Sequence, residues 1–236
     1  MSKSFDDREG WLWMNGEFVP WKKATSHVIS QGLHYASTVF EGERAYNGKI
    51  FRSVEHTNRL FNSAQIMGMK IPYSKDQINQ AKDDLILKMN FKNCYVRPVV
   101  WRGSAQMGIS TKNSDIHVAI AVWDDWASYF KIEDRLEGLR LITSPWKRPS
   151  PESVPFAAKA SGPYYMCTLS KEYAEQKGYH DALMLDYRNY IAEGTGANIF
   201  FIKDNKIDTP IADCFLNGIT RRAVIEMMKN KGFEIF

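Results

Sequence analysis

Ser153-Val-Pro-Phe-Ala-Ala-Lys159-Ala-Ser-Gly-Pro-Tyr-Tyr165 sets one lysine among the smallest residues a chain can offer. Ala157, Ala158, Ala160, Ser161 and Gly162 bring neither bulk nor counter-charge to the Lys159 ammonium. A flat cofactor has room to lie against such a backbone, and the amine can lose its proton through desolvation. A lysine of this kind can form a Schiff base; the plain alternative is a surface lysine in a loop. Pro145, Pro149, Pro151 and Pro155 hold the approach in extended or turn conformations and predict a stiff loop. A helix is expected from Pro163 to Lys177, with proline tolerated in its first turn and Gly178 closing it.

Upstream, apolar residues alternate from Trp11 to Trp21 around Asn15-Gly16, the pattern of an opening β-hairpin. The stretch from Gln31 to Tyr46 contains Tyr35, Phe40 and Gly42 and leads to a second turn at Asn47-Gly48. Its aromatics either line a pocket or fill a core. Leu60, Ala64 and Met67 recur at helical spacing, and Glu55 with Arg59 forms an i to i+4 charge pair on another face. A second helix follows with Ile78, Ala81, Leu85 and Met89, opened by Ser74 and Gln77 at capping-box spacing. Residues 94–103 and 116–123 read as strands, with Pro98 placing the first at an edge or a bulge. Tyr95 and Arg97, two apart, share one face of that strand. A phenol beside a guanidinium suits carboxylate recognition, and a Tyr and Arg merely flanking a sheet is the alternative.

Downstream, the charged stretch 124–138, with Trp126, Tyr129 and Phe130 inside it, reads as a connection between two lobes, with a boundary near residue 131 and a strand at 139–143. Strands are expected at 181–186 and at 190–191, and a buried one at 199–202. Between them, Glu193-Gly-Thr-Gly-Ala-Asn198 lets backbone approach a ligand closely, and a buried Glu193 needs a partner. Leu216-Asn-Gly-Ile-Thr220 leads into a last helix, where amides and the Thr220 hydroxyl can hold phosphate; each glycine turn can equally be only a turn.

The chain has 236 residues, 44% hydrophobic and 25% charged, and a net charge of +4. That composition fits a soluble globular protein with no membrane-spanning run. The adjacent basic pairs Lys22-Lys23, Lys147-Arg148 and Arg221-Arg222 lie far apart in the sequence and give no electrostatic footprint for nucleic acid. Cys94, Cys167 and Cys214 form neither a disulfide framework nor a zinc pattern, and the N-terminus lacks a secretory signal, so a cytoplasmic protein is expected.

Taken together, Ala158-Lys159-Ala160, Tyr164, Glu193-Gly-x-Gly-x-Asn198 and Gly218-Ile-Thr220 resemble the pyridoxal-phosphate transaminases of fold type IV. Tyr95-Val-Arg97-Pro98 and Phe40-Glu-Gly42 are similar to the branched-chain amino-acid aminotransferases within that group. D-amino-acid transaminases and aminodeoxychorismate lyases, which carry different residues on this strand, are the neighbouring possibilities. The resemblance implies a two-domain α+β/α/β architecture: a small N-terminal α+β domain over 1–130, then a larger β-barrel-like cofactor domain flanked by helices over 131–236. It also implies a chain short at its C-terminus, where family members continue through a further sheet segment and a Ser-Gly-Thr-type turn. A truncated relative that binds cofactor without turnover is a further alternative. By resemblance, Lys159 bonds the pyridoxal 5′-phosphate aldehyde, Glu193 meets the pyridine nitrogen and Tyr164 the ring hydroxyl. Arg59, Ile219 and Thr220 meet the phosphate. Tyr35, Phe40, Trp126 and Tyr129 give an apolar wall, and Arg97 with Tyr95 the polar end. Substrates are amino acids and 2-keto acids, and the implied assembly is a homodimer.

Overall fold

The computed structural model describes residues 4–124 and 136–235, which divide into two compact units. One unit holds the chain through Asp124 together with Ala158–Gly162; the other holds the remaining described residues. The boundary expected near residue 131 lies outside the described residues. The lysine segment, expected within the second domain, instead packs with the first, because Ala158 and Ala160 are buried in that unit's hydrophobic core.

In the first unit the hairpin of β1 (Trp11–Met14) and β2 (Glu17–Pro20) turns at Asn15 and Gly16. Both have positive φ, the backbone that a two-residue hairpin turn requires. The short α1 (Gln31–His34) leads to β3 (Thr38–Phe40), β4 (Glu43–Tyr46) and β5 (Lys49–Ile50). Then come α2 (Ser53–Ile66), α3 (Lys75–Lys88), β6 (Cys94–Arg102) and β7 (Ile116–Trp123). The strands form one seven-stranded antiparallel sheet in the order β2-β1-β7-β6-β4-β5, with β3 also pairing β6. Leu60 and Ala64 of α2 and Ile78 and Leu85 of α3 are fully buried in one cluster with Val39, Val96 and Val100. The capping box of α3 forms both of its hydrogen bonds: Gln77 N to Ser74 Oγ at 3.1 Å and Ser74 N to Gln77 Oε1 at 2.8 Å.

Pro98 lies in the middle of the sheet, so the edge placement is wrong. Its missing donor falls where β3 ends at Phe40 and β4 has not begun, opposite Glu41, whose amide donates to the Pro98 carbonyl at 2.9 Å. The irregularity is in the neighbouring strand, which is how a central strand tolerates proline.

The second unit carries β8 (Leu141–Thr143), α4 (Tyr164–Gln176), β9 (Asp181–Leu185) and β10 (Ile191–Gly194), then β11 (Phe201–Lys203), β12 (Lys206–Asp208) and α5 (Ile219–Asn230). β9 pairs with β8 in parallel and with β10 antiparallel; β11 and β12 make a separate ribbon. Of the strand expected to be buried at 199–202, residues 199 and 200 are half-buried and precede the strand, and residues 201 and 202 are exposed on β11, Ile202 at 76%. A continuous apolar run suits a strand covered on both faces, whereas β11 pairs only with β12 among the described residues.

Candidate active site

In the first unit residues 158–162 run antiparallel to β3. An isolated bridge joins Val39 to Ala160, Phe40 N donates to Lys159 O at 3.1 Å, and Ser161 N donates to Thr38 O at 2.9 Å. An extended segment alternates its side chains. Ala158 and Ala160 therefore enter the core and Lys159 faces the other way, its Nζ 4.9 Å from the centre of the Phe40 ring. Beside it, the guanidinium carbon of Arg97 also lies 4.9 Å from the Phe40 ring. The two cations thus share one aromatic neighbour.

β6 alternates strictly between buried and half-buried residues, and Tyr95 and Arg97 fall on the half-buried face together. Arg97 Nη2 donates to Tyr95 Oη at 3.1 Å, and the Tyr95 ring packs on Trp123 with centroids 4.8 Å apart. The Nε of Arg97 is buried without a hydrogen-bond partner among the described residues. Gly42 explains itself here: a Cβ at that position would collide with the Tyr95 hydroxyl. Tyr35 ends α1 and is 45% exposed, while Trp126 and Tyr129 lie outside the described residues.

Arg59 does not pair with Glu55, which bonds Arg52 instead at 2.8 Å. Its partner is Glu41, fully buried in the gap between β3 and β4: Arg59 Nε reaches Oε1 at 2.6 Å and Nη2 reaches Oε2 at 2.8 Å. His56 Nδ1 adds a third contact to Oε2 at 2.6 Å. A dehydrated carboxylate within reach wins the arginine from an exposed one. Burial alone would raise the Glu41 carboxyl, but the hydrogen bonds from Arg59 and His56 overcome it and bring it down to about 2.

Glu41→Gln strips both partners of their counter-charge and is expected to cost about 3–5 kcal/mol, on the order of 10 °C in Tm at neutral pH. The folded value lies below the unfolded one, so the contribution of Glu41 is complete above the ordinary carboxylate range and is lost as pH falls toward about 2. Thermal unfolding of wild type and variant across that range should therefore show the gap closing on acidification; a gap constant with pH contradicts the assignment.

In the second unit Glu193 lies on β10, 9% exposed. The partner it requires is Arg148, whose Nε is 3.3 Å from Oε1; Asn198 Nδ2 donates to Oε2 at 3.4 Å. Arg148 is itself buried, donating to the Cys214 carbonyl and Cys167 Sγ, with its guanidinium 4.9 Å from the Phe156 ring. In the sequence it stands only as half of a basic pair. Asn198 also donates to Leu216 O at 3.3 Å, and a Cβ at Gly218 would strike its side chain, so the glycine makes room for the residue that steadies Glu193. Gly218 opens α5 with no side-chain cap, which leaves the first-turn amides without that acceptor. Ile219 is buried and offers an anion only its backbone amide, while Thr220 is exposed and offers a hydroxyl as well. Tyr164 begins α4, half-buried against Met166, Cys167 and Met184.

Each unit by itself offers groups whose chemistry suits pyridoxal 5′-phosphate: the first an amine over an aromatic ring, the second a paired carboxylate and an uncapped helix N-terminus.

The family model for amino-transferase class IV matches residues 38–235. The probable branched-chain-amino-acid aminotransferase of Rickettsia bellii is 44% identical over 235 residues, which cover 100% of this chain and 80% of that protein. The branched-chain-amino-acid aminotransferase of Pseudomonas aeruginosa is 42% identical over 236 residues, covering 98% and 76%. Among solved structures, the branched-chain aminotransferase of Thermoproteus uzoniensis with norvaline matches with a TM-score of 0.91 at 31% identity, covering 97% of this chain and 77% of that one. A further branched-chain amino acid aminotransferase, solved with pyridoxamine 5′-phosphate, matches with a TM-score of 0.92 at 38% identity, covering 97% and 76%. The same enzyme has been solved with N-(5′-phosphopyridoxyl)-L-glutamate and with 4-methylvaleric acid. The chain belongs to the class IV amino-transferases.

Proposed function

We propose that this protein is a pyridoxal 5′-phosphate transaminase that moves the amino group of L-leucine, L-isoleucine or L-valine to 2-oxoglutarate, giving the branched 2-keto acid and L-glutamate. The observation that carries the reading is the pairing of a partly buried Lys159 amine with Arg97 across the Phe40 ring. Amine chemistry and carboxylate recognition thus meet on one face of the first unit. When bound, the cofactor supplies an aldehyde that accepts the amino group and a protonated ring that draws electrons from the substrate Cα.

Lys159 would hold the cofactor through its Nζ and would carry the proton at the substrate Cα. Glu193, steadied by Arg148 and Asn198, accepts the hydrogen bond of the ring nitrogen. Tyr164 donates to the ring oxygen. The Ile219 amide and the Thr220 amide and hydroxyl would take the phosphate, and Arg59, whose Nε and Nη2 Glu41 holds, would add its Nη1. An apolar wall for a branched side chain is assigned to Tyr35 and Phe40 and, by the family resemblance alone, to Trp126 and Tyr129. Arg97 receives a γ-carboxylate with help from Tyr95, a role supported by its unpartnered Nε.

Arg97→Leu is expected to lower kcat/KM for 2-oxoglutarate about ten- to a hundredfold, the worth of one charge-assisted bidentate contact, while L-leucine loses far less. Each half reaction is timed on the cofactor absorbance. Equal losses for both substrates would take Arg97 out of the side-chain pocket. Turnover of D-alanine in preference to L-leucine would replace the whole reading with that of a D-amino-acid enzyme.

A homodimer in a reducing compartment completes the proposal. It is supported by three buried cysteines that form no disulfide among the described residues and by an open apolar groove of about 430 Å³ on the first unit, bordered by Leu12, Met14, Leu33, Val99 and Trp101. No helix among the described residues is long and apolar enough to cross a membrane.

A further inference from the structure

Lys159 is held at its backbone by a residue with no other evident task. In an antiparallel ladder that continued past the Val39–Ala160 bridge, the Lys159 amide would bond the carbonyl of its opposite number, Phe40, which already donates to the Lys159 carbonyl. The amide goes elsewhere: it donates to Ser63 Oγ at 2.9 Å. Ser63 lies in the third turn of α2, fully buried. A serine inside a helix has lower propensity than alanine and carries a hydroxyl that burial penalises unless it is bonded. Here the bond reaches a residue 96 positions away in sequence. Ser63 also stands one turn beyond Arg59, so the two share a helix face.

We propose that Ser63 is a positioning residue for Lys159: its hydroxyl fixes the peptide that carries the reactive amine and so sets where Nζ stands over the Phe40 ring. The inference rests on the reading of Lys159 as the residue that bonds the cofactor. Phe40 fixes the other side of the same peptide, through its amide on the Lys159 carbonyl and its ring beneath the ammonium. The lysine is thus clamped between β3 and α2, and its freedom is confined to its own four-carbon stem.

The test compares two ligands that differ in their need for the lysine. Pyridoxal 5′-phosphate bonds Lys159, whereas pyridoxamine 5′-phosphate has no aldehyde and makes no such bond. Ser63→Ala leaves a buried amide without an acceptor. It is expected to weaken equilibrium retention of pyridoxal 5′-phosphate about tenfold, with pyridoxamine 5′-phosphate affinity changing less than about twofold. The Tm of the cofactor-free protein should fall by only a few degrees, because the unbonded amide costs more than alanine's better helix propensity returns. Ser63→Thr, which keeps the hydroxyl, should restore the wild-type ratio. If Ser63→Ala does not purify folded, Ser63→Cys must show the same split, since it keeps the shape and offers a poorer acceptor. Equal weakening of both ligands, or no change in either, overturns the proposal. A wild-type protein that borohydride does not label at Lys159 overturns the cofactor reading itself, and the proposal with it.

Discussion

Lys159→Ala is expected to lower turnover of L-leucine with 2-oxoglutarate by at least about a thousandfold, while Tm stays within a few degrees of wild type. A positioned general base alone contributes about 10² to 10⁴ in rate, and here one side chain serves both as the covalent anchor and as the proton carrier. Little of the fold depends on that side chain. Ala158 and Ala160 carry the burial of the segment, and the Lys159 amide and carbonyl, which the variant keeps, tie it to α2 and β3. The contact with the Phe40 ring that the variant gives up is worth about 0.5–1 kcal/mol. Steady-state rates and thermal melts on the same preparation separate the two effects. A variant within tenfold of wild-type turnover would remove Lys159 from the chemistry.

Glu193→Gln is the second large effect. The amide keeps a hydrogen bond to the ring nitrogen but carries no charge to favour its protonated form, so the electron-withdrawing power of the ring falls. The rate is expected to drop by about a hundredfold or more, against a change of less than about tenfold in cofactor affinity. The structure adds a second consequence: Arg148 is buried beside Oε1 and loses its carboxylate partner in the variant. An unpaired buried charge is costly, so the variant should also melt lower. Glu193→Gln combined with Arg148→Met should recover stability without recovering rate, and recovery of both would make Glu193 purely structural.

The parts of the site that were legible in the sequence are those with short periods. Tyr95 and Arg97 share a face because a strand repeats every two residues, and the Ser74–Gln77 box closes because both bonds lie within one turn. The small residues on either side of Lys159 stand out in the sequence, and Ala158 and Ala160 are the ones its segment buries. Partners distant in sequence leave no such trace. Glu41 lies 18 residues from Arg59, so spacing on α2 pointed to Glu55, an exposed residue with a nearer arginine of its own. Arg148 reads as half of a basic pair until the fold brings it to Glu193, and Ser63 reads as a neutral helix residue until the Lys159 amide arrives. Pro98 misled for a related reason: a missing donor is harmless mid-sheet where the adjacent strand is itself interrupted, and that interruption at Glu41 belongs to another segment. The apolar run at 199–202 shows composition favouring burial where the described residues cover its first half only in part and its second half hardly at all.

The most direct measurement is borohydride reduction of the purified protein loaded with pyridoxal 5′-phosphate, followed by peptide mass analysis. The account predicts loss of the visible absorbance band and a phosphopyridoxyl group fixed to the peptide containing Lys159, with none in Lys159→Ala. Label on another lysine, or none on wild type, would contradict it.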